Sequence, residues 1–201
     1  MISVNWSAYE YQPSFILGFH GCDKNVGEGI LRGEKDHLLQ SEKEYDWLGS
    51  GIYFWEGNPS RALAWAKDRE AEGKITTPFV LGAILDLGHC LDLFDHGGLA
   101  QVKAAHSELE KILESANIEI PKNVGKTPDK AGRKLDCAVL NFLHAYRREE
   151  SIKQYDSVRA PFLEGGKLYP EAGFQSQNHI QICARSVDCI KGYFRPIIKK
   201  T

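Results

Sequence analysis

Apolar positions along this chain fall into two kinds of run. Some are short and nearly unbroken, bounded by glycine or charge: residues 15–22 (FILGFHGC), 50–56 (SGIYFWE), 78–88 (PFVLGAILDLG) and 189–198 (CIKGYFRPII). Others space their apolar residues three or four apart among charges, as over residues 98–116 and 135–152. The first kind suits buried strands and the second amphipathic helices. Residues 179–185 (HIQICAR) alternate like a strand, and CLDLFD follows the 78–88 run.

Two more helices are marked by their ends. Val26 and Ile30 stand at helical spacing before Gly33, a stop signal. Asn58 and Pro59 open a stretch of alanines and leucine that runs to Gly73, with Asn58 as cap, Pro59 in the first turn and glycine at the exit. Residues 34–47, 117–134 and the segment before residue 179, including 155–174, read as connecting loops. Strand signals lie at both ends and in the middle with helices between them, which predicts an α+β fold rather than repeated βαβ units.

Composition narrows the class. The chain has 201 residues with 42% hydrophobic and 26% charged, enough for one domain with a full core. No apolar run approaches the ~20 residues of a membrane span. The N-terminal MISVNWSAYEYQPS lacks a basic flank followed by an apolar core, so no signal peptide is expected and a cytoplasmic location is. Five cysteines, odd in number and without a CxxC pair, read as buried free thiols. A formal charge of −2 argues against an electrostatic grip on bulk nucleic acid, although Lys122, Lys126, Lys130, Arg133 and Lys134 cluster in sequence. His37, His89, His96, His106 and His144 show no ligand spacing, and no metal site is expected.

The chemistry gathers in two short segments. GFHGC places His20 and Gly21 at a strand end, where a bare backbone lets a ligand approach main-chain groups. WLGSGIYFWE (47–56) packs four aromatics and two glycines into ten positions. Either segment alone could be core. Together, with the helix that follows, FHGC…GILRGE…LGSGIYFWEGNPSRALAWA resembles the ADP-ribosyltransferase superfamily, on its diphtheria-toxin and poly(ADP-ribose) polymerase branch. The resemblance spans residues 15–66 well and 178–194 moderately.

The resemblance implies a split mixed or antiparallel sheet with an NAD cleft, in one domain over 1–201. Residues 90–160 have no counterpart, so a helical insertion is expected around 98–155. NAD is the implied co-substrate. His20 would bond a ribose hydroxyl, Gly21 would offer its backbone to the nicotinamide carboxamide, and Tyr53 would stack on the nicotinamide ring. Trp65 would close the other side of that ring. Ser60 is the candidate for the family serine, although a register taken from Trp65 places Ala62 there. The family glutamate on a late strand falls on Gln181, with His179 on the same face and Asn178 as the fallback. Glutamine brings no charge to an oxocarbenium-like transition state, and losing such a group costs ~2.7–4 kcal/mol. This favours transfer of a single ADP-ribose over polymer synthesis. Glu56 is a candidate substitute acid; Arg159, Glu164 and Glu171 are candidate acceptor or phosphate contacts. The implied protein is a mono-ADP-ribosyltransferase acting on protein or nucleic acid, in the manner of a bacterial toxin or effector held by an inhibitor or antitoxin partner. An NAD glycohydrolase and a non-catalytic NAD or ADP-ribose reader are the alternatives.

Overall fold

The computed structural model describes residues 14–125 and 132–197. The reading of the N-terminal stretch, which falls on residues 1–13, lies outside them, as do Lys126 and Lys130 of the basic cluster. The fold is α+β, built on a seven-stranded mixed sheet. In chain order the strands are β1 (Ile16–Asp23), β2 (Ile52–Glu56), β3 (Pro78–Leu85), β4 (Cys90–Asp92), β5 (Ser157–Phe162), β6 (His179–Ala184) and β7 (Ile190–Phe194). Across the sheet they run β4-β5-β6-β2-β1-β3-β7. Only β4 and β5 pair in parallel; the other neighbours are antiparallel. The helices are α1 (Lys24–Leu31), α2 (Pro59–Ala71), α3 (His96–Ser115) and α4 (Lys134–Glu149).

Period-2 alternation divides the strand residues between two faces. Ile52, Phe54, Leu81, Leu85 and Ile182 lie on one, packed with Ile30 of α1. Val158, Ala160, Phe162 and Cys183 lie on the other, against Ala105 of α3 and Val139, Leu140 and Leu143 of α4. Phe19 and Trp55 continue that second face, packed against Ala62 and Trp65 of α2. Helices α3 and α4 therefore share a core with the sheet. All five cysteines are buried and free.

Local signals act as their chemistry dictates. Asn58 Oδ1 accepts from the Arg61 backbone N–H at 3.0 Å, and Pro59 opens α2. Asp95 caps α3 by accepting from Gly97 and Gly98, so that helix starts two residues before the hydrophobic period does. The segment 155–174, read from sequence as loop, contains β5. Val158, Ala160 and Phe162 carry the alternation, but Pro161 between them is a residue type that argues against a strand. Pro161 is tolerated because β4 accompanies β5 only from Ser157 to Arg159, leaving a single neighbouring strand at the proline. The closing strand is shorter than its apolar run, ending at Phe194.

One irregularity sets up the site. β1 pairs with β3 along its whole length, from Ile16–Leu85 to Asp23–Pro78. With β2 it pairs only at Gly18–Glu56 and Phe19–Trp55. Past Phe19 the two strands part, and the β2-side edge of His20 and Gly21 has no ladder partner in β2.

Candidate functional site

His20 sits where β1 and β2 separate. Its Nδ1 lies 2.7 Å from the Tyr53 carbonyl oxygen, spanning the gap. A carbonyl only accepts, so Nδ1 carries the proton and Nε2 is left as an acceptor in the neutral ring. Burial lowers the pKa of His20 from the usual histidine value, opposed by the bond to Tyr53. The His20 ring meets Phe54 edge-on at 6.0 Å, on the face away from Tyr53 and Trp55. The sequence reading set His20, Tyr53 and Gln181 around one ligand; the structure puts the His20 ring on one side of the sheet and Tyr53 and Gln181 on the other.

Gly21 lies under α2. A Cβ there would overlap the Ala62 carbonyl oxygen and come within 3.2 Å of Trp65 Cε3. The missing side chain thus lets the helix, and Trp65 on it, settle against the strand. Tyr53 is held by its hydroxyl, which donates to the Gly49 carbonyl at 2.7 Å and accepts from the Leu48 N–H at 3.0 Å. Burial pushes its phenol pKa well above the usual value. Ser60 is exposed and donates to Asn58 Oδ1 at 2.9 Å, supporting the helix cap. Ala62, the other register for the family serine, is fully buried.

The residues that do converge are Trp55, Arg61, Glu164, His179 and Gln181. Trp55 and Gln181 are cross-strand partners, and Phe162 pairs with His179 on the next strand. His179 and Gln181 share a face and are both buried. Gln181 Oε1 accepts from Trp47 Nε1 at 2.8 Å. An indole nitrogen only donates, so this bond fixes the amide and leaves its NH₂ as a donor. Trp47 stacks on Phe162 with centroids 3.4 Å apart, and the Arg133 guanidinium lies 4.5 Å from the Trp47 ring. Trp55 and Trp65 are 6.0 Å apart, and Arg61 lies 5.6 Å from the Trp55 ring. Arg61 Nη2 donates to Glu164 Oε2 at 2.8 Å, and the same oxygen is 3.5 Å from His179 Nδ1. Burial lowers the pKa of His179.

The other candidates are engaged in structure. Arg159 binds Glu56 through two hydrogen bonds, at 2.6 and 2.9 Å, and Asp92 at 3.1 Å. These bonds to Glu56 raise the Arg159 pKa further, and both side chains are partly exposed. Glu171 is exposed near Lys167. In the basic stretch, Lys122 pairs with Glu119, Arg133 with Asp136 and Lys134 with Glu44. Trp47, Trp55 and Arg61 were not singled out from sequence. Trp55 shares a face with Gln181 only in the register that β2 and β6 adopt, which the sequence does not fix.

On the far side of the Trp47–Phe162 stack, a cavity of about 470 Å³ opens between β5 and helices α3 and α4. Leu93, Val102 and Val139 line it, with Lys103 and His106 also on its wall. Among the described residues, no group of three or more His, Cys, Asp or Glu could hold a metal ion. Among the same residues, no helix is long and apolar enough to cross a membrane.

Comparison with known proteins yields one distant likeness to report. An uncharacterized protein of Methanocaldococcus jannaschii is 23% identical over 195 residues, covering 86% of this chain and 83% of that protein. No family model and no solved structure matches the chain.

Proposed function

We propose that this chain is an NAD-dependent mono-ADP-ribosyltransferase of the diphtheria-toxin and poly(ADP-ribose) polymerase type. The observation that carries the reading is the parting of β1 from β2 immediately after Phe19 and Trp55. At that point the edge of β1 at His20 and Gly21 has no partner in β2, and these are the two residues for which the sequence resemblance implies ligand contact. The Nε2 acceptor of His20 suits a ribose hydroxyl. In this reading NAD crosses the seam between β1 and β2, meeting the His20 ring on one face and Trp65 and the amide of Gln181, a donor to a second ribose oxygen, on the other.

The reaction breaks the bond between the nicotinamide nitrogen and the ribose anomeric carbon. Nicotinamide leaves with the electron pair as a neutral molecule. A nucleophile of a protein or nucleic-acid acceptor bonds to that carbon and releases its proton to solvent. Gln181 cannot offset the positive charge that develops on the sugar. Glu164 meets this face through Arg61 and His179, and in this reading supplies the negative charge that the late strand lacks. Its partial neutralisation by Arg61 makes the enzyme slow. A non-catalytic NAD reader is the second reading, favoured by Gln181 and its engagement with Trp47.

Incubation of the full chain with NAD labelled in the adenosine moiety, with and without cell lysate, tests the proposal. Label on protein or nucleic acid together with free nicotinamide is the expected outcome. Nicotinamide without transferred label would make the protein a glycohydrolase, and NAD that stays intact but bound would make it a reader.

A further inference from the structure

We propose that the cavity between β5 and helices α3 and α4 binds a small aliphatic carboxylate, independently of the function proposed above. It measures about 470 Å³, inside the ~300–1,000 Å³ range of small-molecule sites. Leu99, Val102, Lys103 and His106 stand three or four apart on α3 and share the stripe that lines it. Leu135 and Val139 of α4 and Pro161 of β5 add further apolar wall. Polar groups are few there, and a cavity lined this way gives ordered water little to bond. Leu99 is 48% exposed, apolar surface that an aliphatic occupant covers on entry.

Charge selects the head group. Lys103 is exposed and has no ion-pair partner among the described residues. Arg133 directs Nη1 to Asp136 at 3.2 Å, while its Nε finds no partner among the described residues. Its guanidinium is held 4.5 Å from the Trp47 ring, so the cation is fixed in place. Asp136 is committed a second time, since its Oδ1 accepts from Asn123 Nδ2 at 2.9 Å. Lys103 and Arg133 against Asp136 leave one positive charge on the wall. Both cations only donate. A carboxylate only accepts and carries a single negative charge, which matches the wall in both respects. A phosphate monoester would bring excess negative charge toward Asp136, and an ammonium would meet Lys103 and Arg133.

Isothermal titration of the full chain with octanoate, octan-1-ol and octylammonium tests the site. The three share a stem and differ in the charge of the head group. Octanoate should bind most tightly, about tenfold more so than octylammonium, the scale of one charge-assisted hydrogen bond. Lys103→Glu alters an exposed residue and takes the wall from one net positive charge to one net negative. It should weaken octanoate about tenfold and bring its preference over octylammonium to about one or below. Val102→Trp fills the cavity from α3 and should weaken all three ligands, which locates the binding. If that variant does not fold, Leu99→Glu, at an exposed position, should weaken octanoate in its place. Three results overturn the site: no octanoate binding to the wild-type chain, equal affinity for the three ligands, or octanoate binding unchanged in Lys103→Glu. The titrations contain no NAD, so their failure leaves the transferase standing.

Discussion

Gly21 meets two demands with one missing side chain. It admits the Ala62 carbonyl and Trp65 against the strand, and it lies on the edge of β1 that β2 leaves bare. Its glycine was legible in the sequence as a point of close approach, but the sequence does not show that the approaching group is a helix. Alternation hid the rest. His20 and Tyr53 read as partners, yet the Tyr53 carbonyl, not its ring, meets His20. His144 illustrates a cost carried by one residue. It is buried, neither ring nitrogen finds a partner among the described residues, and burial pushes its pKa down to about 3. A pKa depressed in the folded state gives stability that is present above the unfolded value of about 6.5 and lost as pH falls toward the folded value. His20 and His179 act with the same sign. Between about pH 6 and 4.5, His144 should contribute a loss of up to about 1.4 kcal/mol per pH unit. Urea unfolding of His144→Phe across that range should show a shallower decline than the wild-type chain.

Among the elements, those with both a hydrophobic period and a terminal signal were read closely from sequence. Asn58, Pro59 and Gly73 bound α2 as their cap chemistry requires. Strand β5 was missed because its character depends on neighbours far away in the chain: Arg159 is held by Glu56 and Asp92, and Pro161 lies beyond the end of β4. Neither fact is local. The first turn of α2 also carries Arg61, so its cap belongs to the site as well as to the helix. Asn58→Ala removes the acceptor for the Arg61 N–H and should destabilise the chain by about 1 kcal/mol, measured by thermal or urea unfolding.

In the molecule as a whole, the sheet serves two cores and one irregular seam. Helices α3 and α4, unexplained by the sequence resemblance, close one core and line the cavity beside Trp47 and Phe162. The basic stretch before α4 is paired with acids wherever it is described, which turns attention from a nucleic-acid grip to the aromatic face of β2 and β6. That face has ring walls, hydrogen-bonding groups and a carboxylate, while Gln181 stands where the resemblance places a charge. Gln181→Glu is therefore the most direct probe of the central claim, that this face cleaves NAD. Nicotinamide release, timed with purified full-length protein and NAD, should be slow in the wild-type chain. It should rise by roughly 100-fold in Gln181→Glu, the effect of restoring an electrostatic group to the transition state. Release at background in both proteins, with the variant folded and NAD bound, would contradict the account.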